Sequence, residues 1–182
     1  MRASMTGVFL IIVTGMMSAC ASSTGAKPDA QAGAQADKVA DARVCVMQSG
    51  GTDVLRLTLA PNIKCVAKDG TLHIDATQFD VELWLVDGAH TVDEAIGRIG
   101  QVIKDQFKDF KATRTTDLTV AGSPARQLIG SDHEADDGDN GQADVIVFEV
   151  GDRIFIACAH GEDLTPMAQQ GILTVVQSAH TP

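Results

Sequence analysis

Cys158 and His160 stand two apart in Ile154-Phe155-Ile156-Ala157-Cys158-Ala159-His160, a spacing that places both on one face of a strand. A thiolate beside an imidazole is a nucleophile once an orienting group and a cleft are added. The apolar flanks Ile154–Ala157 point instead to a core position, with the thiol packed as a small apolar group. Ser131-Asp132-His133-Glu134-Ala135-Asp136-Asp137-Gly138-Asp139-Asn140-Gly141 is a second concentration of chemistry. Calcium needs roughly six to eight oxygens in a fixed arrangement. Counted from Asp136, the EF-hand frame sets Gly138 third and Val147 where the bidentate glutamate belongs, and the other registers fail too. The segment therefore reads as a solvated hairpin loop. His73 and His90 have no ligand spacing between them, His180 is terminal, and Trp84 suits a core better than a ligand platform. There is no G-x-S-x-G, H-E-x-x-H, P-loop, Rossmann or C-x-x-C pattern. The sequence thus predicts no catalytic residue, no metal site and no cofactor.

Cys20 carries the most specific signal. Arg2 gives a positive start, and Gly7–Met17 is an apolar run of about eleven residues, too short to span a bilayer and suited to the core of a secretory signal. It ends in Met17-Ser18-Ala19-Cys20. This resembles a bacterial lipobox, with Met17 where leucine is usual. The resemblance implies lipidation of Cys20, which becomes the new N-terminus. Ala19-Cys20-Ala21 is also a small-x-small site, so ordinary cleavage after Ala21 and release of a soluble protein is the competing reading. Ala21, rather than aspartate, follows the cysteine; in Gram-negative lipoproteins, the resemblance implies, that favours transfer to the outer membrane. Several acyl chains hold a protein stably where one does so only marginally. The folded part then lies outside the cytoplasm, facing the periplasm in a Gram-negative cell, where disulfides persist. Cys45, Cys65 and Cys158 remain, so one bridge at most can form, with Cys45–Cys65 closest in sequence. Buried free thiols are the alternative.

Residues 21–42, ASSTGAKPDAQAGAQADKVADA, hold no aromatic and one large aliphatic, Val39. Such a segment cannot bury enough apolar area to offset its ordering entropy. It reads as a linker with a root-mean-square reach of roughly 25 Å. Three parts follow: signal peptide 1–19, lipidated Cys20 with its linker 20–42, and a globular domain 43–182. The whole chain of 182 residues carries a formal charge of −10, with 14 basic and 24 acidic residues. Loss of Arg2 with the signal makes that −11, from 13 basic and 24 acidic. This balance argues against nucleic-acid binding, and repulsion from an anionic surface favours a domain that stands off from it.

The domain must be built largely from strands. Val54–Leu59 alternates, Ile63–Ala67 and Thr71–Asp75 flank the turn Lys68-Asp69-Gly70, and Phe79–Val86 alternates again with Trp84 on the face of Asp80 and Glu82. Thr91 and Glu94 form a capping box before the stripe Val92, Ala95, Ile96, Ile99, Val102, Ile103 and Phe107, which predicts one helix over 91–107. Gly97 and Gly100 weaken it, and Gly100 falls near the stripe, as if to let a sheet approach. Strands follow at Thr113–Val120, Ala125–Gly130, Asp144–Val150 and Arg153–Ala159, with turns at Gly122-Ser123-Pro124 and Gly151-Asp152. The last two strands are apolar on both faces, so layers must cover both. Thr165-Pro166 opens a final helix over 164–179, striped by Leu164, Ala168, Ile172, Val175, Val176 and Ala179. The expected fold is α+β: a mostly antiparallel sheet with helices packed on its faces.

The order of elements, the run Phe107-Lys108-Asp109-Phe110-Lys111, the segment Leu118-Thr119-Val120-Ala121-Gly122-Ser123-Pro124-Ala125 and the long hairpin into Val145–Val150 and Ile154–Cys158 resemble the Mog1/PsbP-like superfamily with its bacterial DcrB-like lipoproteins. The resemblance spans Val54 to Ser178 and implies an α/β sandwich used mostly as a binding or assembly module, without a shared active site. The expected function is a membrane-tethered, non-catalytic binding or assembly lipoprotein of the cell envelope with a protein partner there. A small-ligand or lipid carrier, and an enzyme using Cys158 and His160 or the acidic loop, are the alternatives.

Overall fold

The computed structural model describes residues 42–68, 70–76, 79–102, 110–133, 140–161 and 164–182. Arg43–Ser49 (β1) and Thr52–Leu59 (β2) form a hairpin, and β2 also pairs with Ala179–His180 (β10), which makes a three-stranded sheet. Seven strands form the larger sheet: Lys64–Lys68 (β3), Thr71–Ala76 (β4), Phe79–Leu85 (β5), Lys111–Val120 (β6), Ser123–His133 (β7), Asn140–Val150 (β8) and Arg153–Gly161 (β9). Their spatial order is β3-β4-β5-β9-β8-β7-β6, antiparallel throughout. The expected α+β class holds. The division into two sheets differs from the single sheet expected. Alternation along Val54–Leu59 fixes which face is buried but not which strand lies alongside.

The large sheet is covered on both faces, as its doubly apolar strands required. Pro166–Gln177 (α3) and the small sheet cover one face. Leu55, Leu57, Leu83, Ile146, Phe148, Phe155, Ile172 and Val176 form that core. Phe148 and Phe155 are opposed across the β8–β9 ladder and stack with ring centroids 5.6 Å apart. Thr165 caps α3 by accepting from the Ala168 N–H at 3.2 Å, and Pro166 opens the helix. Two short helices, Val92–Ile96 (α1) and Ile99–Val102 (α2), cover part of the opposite face. Ala95 and Ile99 meet Leu128, Val145, Val147 and Ile156 there.

Several local expectations are corrected. The helix expected to run continuously from Thr91 breaks at Gly97, which caps α1; its final part, 103–107, lies outside the described residues. Glycine lowers helix propensity by about 1 kcal/mol. Gly100 faces open space rather than a sheet. Glu94 reaches back to the His90 N–H (2.8 Å) instead of completing the box at Thr91, while Thr91 Oγ1 accepts from the Glu94 N–H (3.1 Å). The turn between β6 and β7 is Ala121-Gly122, at φ 51° and 85°, and Ser123 and Pro124 already belong to β7. Two consecutive positive φ values match the right-handed strand twist. β7 and β8 also run further than expected, so Ser131–His133 pairs with Asn140–Gln142 and the acidic loop is shorter. Residues 134–139 lie outside the described residues.

Candidate functional site

Cross-strand register builds the site. On the α1 face of the large sheet, Thr71, Trp84, Ile156 and Val147 form one row. His73, Glu82, Cys158 and Val145 form the next. Asp75 and Asp80 are opposed in the third row. His160 follows Cys158 on the same face of β9, opposite Ala143. The register thus brings Cys158 and His160 together with His73 and Trp84, all of them singled out by the sequence. α1 packs on β7, β8 and β9. A cleft of about 250 Å³ opens over β4, β5 and the end of β9, lined by His73, Asp75, Asp80, Glu82, Trp84, Cys158 and His160.

The cleft is polar at its mouth and apolar at its floor. His73 Nδ1 lies 3.0 Å from Glu82 Oε1, directly across the ladder. Opposed carboxylates repel, and Lys64 Nζ at 3.6 Å from Asp75 Oδ2 offsets part of that repulsion from β3. Trp84 packs against the core beneath α1 while its edge lines the cleft, so it serves as core residue and wall at once. Cys158 is 3% exposed, and its Sγ lies 3.9 Å from the Ala159 carbonyl oxygen. Among the described residues, no group of three or more His, Cys, Asp or Glu has the geometry of a metal site.

The other candidates are dispersed. His90 precedes α1, and His180 sits in β10 with Nδ1 3.0 Å from the Ser178 carbonyl oxygen. Cys20 lies outside the described residues. Cys45 and Cys65 are joined as a disulfide with Cα atoms 6.3 Å apart, which ties β1 of the small sheet to edge strand β3 of the large one. Cys158 is buried and lies outside that disulfide.

One group was missed. Asp144 is fully buried, in an otherwise apolar strand, on the face of Ile146 and Phe148. The Gln127 side-chain amide donates to both of its carboxylate oxygens, at 3.0 and 2.8 Å. Burial pushes the carboxyl up to about 6, against the opposing pull of the Gln127 hydrogen bond and the Arg114 charge. The signal was available in the period-two pattern, which puts Asp144 in step with Ile146 and Phe148.

No protein-family model matches the chain. No curated protein matches it in sequence. Solved structures do match. The solution structure of cyanobacterial PsbP (CyanoP) from Synechocystis sp. PCC 6803 is similar over 81% of this chain and 96% of its own, at 12% identity and a TM-score of 0.50. LpqN, described as involved in cell envelope biogenesis of Mycobacterium tuberculosis, covers 78% of this chain and 91% of its own, at 14% identity and a TM-score of 0.46. A protein of unknown function from Pseudomonas aeruginosa, PA94, covers 70% of this chain and 87% of its own, at 14% identity and a TM-score of 0.38. The likeness to CyanoP shows a PsbP-like fold, in agreement with the resemblance drawn from the strand order. At this identity it concerns the fold alone.

Proposed function

We propose that this chain is an exported lipoprotein, of the kind found among DcrB-like proteins, held at the cell envelope by acyl chains on Cys20. Its folded part is a non-catalytic binding or assembly domain. In a Gram-negative host the anchor would sit in the outer membrane with the domain facing the periplasm, since Ala21 follows Cys20. Among the described residues no helix is long and apolar enough to cross a membrane. The cleft over β4 and β5 carries the binding reading, because it gathers Asp75, Asp80, Glu82 and the wall of Trp84 in one concave surface. Carboxylates beside an indole suit a basic side chain of a protein partner. The non-catalytic part rests on Cys158, which lies in the floor at 3% exposure, poorly placed to attack a substrate.

The test is site-specific photocrosslinking in the native envelope, with the reactive residue at Asp80 or His160. A discrete adduct with one envelope protein, abolished by Glu82→Lys in a protein that still folds, is the expected result. Substrate turnover that disappears in Cys158→Ala would overturn it in favour of an enzyme. Acylation has its own test: mass spectrometry of the mature N-terminus should show modified Cys20, and a chain beginning at Ser22 refutes the anchor.

A further inference from the structure

A second concavity lies on the other side of the large sheet. α3 and the chain leaving β2 enclose a groove of about 270 Å³, lined by Leu59, Ile63, Phe79, Met167, Thr174 and Val175 among others. Among the described residues none of its lining side chains is ionisable, in a chain with 24 acidic residues. Gly171 lets the Phe79 ring pack directly against α3 as part of the groove wall, since a Cβ there would collide with that ring. Met167 at its rim is 55% exposed, one of the large apolar side chains left in water among the described residues, with Val44 and Val66.

Position indicates what covers it. Arg43, the first residue of β1, is paired with Leu59 of the groove. Val44, 59% exposed, is paired with Thr58, also in the lining. The chain from Cys20 therefore enters the fold beside this groove after 22 residues, which on the linker reading drawn from composition would reach roughly 25 Å. On the lipoprotein reading above, which this inference rests on for its geometry, the anchor keeps membrane lipid within that distance. The groove itself offers about 270 Å³ of mostly apolar space. We propose that it binds one hydrocarbon chain of a phospholipid from the membrane to which the protein is tethered. The uncharged lining excludes the headgroup, which stays at the Met167 rim.

Two arms test this separately from the anchor. The full lipoprotein is reconstituted in phosphatidylcholine vesicles that contain a diazirine-acyl phosphatidylcholine, then photolysed and digested. In parallel, the same protein in solution receives a diazirine-acyl lysophosphatidylcholine. Labelling is expected on peptides bearing Ile63 or Met167 in both arms. Met167→Glu combined with Thr174→Glu, both on the exposed side of α3, should reduce it by at least about tenfold, because a carboxylate against hydrocarbon is strongly disfavoured. Vesicle flotation should be unchanged in that variant. Failure to float removes the anchor reading and leaves the solution arm to decide the groove. Labelling that is absent from these peptides in solution, or that is insensitive to the two glutamates, overturns the proposal.

Discussion

Asp144→Asn should change the pH dependence of stability in a defined direction. The buried carboxyl is raised from an ordinary 3.8 to about 6, chiefly by desolvation. The native state therefore holds this proton more tightly than the unfolded chain does, and between those two values it binds more protons. Stability contributed by the protonated form is fully present below pH 3.8, and it is lost as pH rises through about 6. The size follows from the difference of about 2.2 between the two values at about 1.36 kcal/mol each, or roughly 3 kcal/mol by pH 7. Asparagine keeps an acceptor for the Gln127 amide and stays neutral throughout. Urea unfolding of both proteins at pH 4, 5, 6 and 7, followed by Trp84 fluorescence, gives the comparison. The two should be nearly equal at pH 4, and the variant should lead by up to about 3 kcal/mol at pH 7. Taking the difference cancels every other titrating group. A gap that is constant with pH, or a variant less stable than the parent at pH 7, would refute the assignment.

Two further predictions concern the scaffold. Replacing Cys45 and Cys65 together by serine opens a loop with a sequence separation of 20, and chain entropy then predicts a loss of about 3 kcal/mol in urea unfolding; a loss under about 1 kcal/mol would mean that the unfolded chain is already restrained there. Gly130→Ala should cost about 1–3 kcal/mol, because a Cβ at this buried position meets the Lys111 backbone across the β6–β7 ladder, where the register shifts between Ala112 and Arg114. A thermal midpoint equal to that of the parent would show that the bulge absorbs the methyl group.

What was legible in the sequence was whatever has a local period. The alternation of Phe79–Leu85 assigns Val81 and Leu83 to one core and Trp84 to the other, as found. The stripe expected over 164–179 places Leu164, Ala168, Ile172, Val175, Val176 and Ala179 in the core, and all six are buried there, although Leu164 precedes α3 and Ala179 lies in β10. Long-range pairing was not legible. Nothing local to Val54–Leu59 says that it leaves the large sheet to pair with Arg43–Ser49 and Ala179–His180. The site suffered from the same limit. Cys158 and His160 were visible as a pair because they share a strand, whereas His73 and Glu82 lie on different strands and meet only through the β4–β5 register.

The two faces of the large sheet show why concavities of opposite character arise in one small domain. α3 and the small sheet belong to the same cover, since α3 runs directly into β10, which pairs with β2. The groove beside α3, at Leu59, Phe79 and Met167, has a predominantly apolar wall. The opposite cover begins with two helices of 5 and 4 residues, α1 packing on β7, β8 and β9. Arg126 fixes it there, bonded to Asp93 of α1 and to Asp117 of β6. Strands β4 and β5 extend past the packing of α1, and their residues on that face turn from Trp84 to Glu82, Asp80, His73 and Asp75 as they do so. The two concavities therefore differ in what their walls offer, carboxylates and imidazoles over β4 and β5 and hydrocarbon beside α3, and the chemistry each can recognise follows from that.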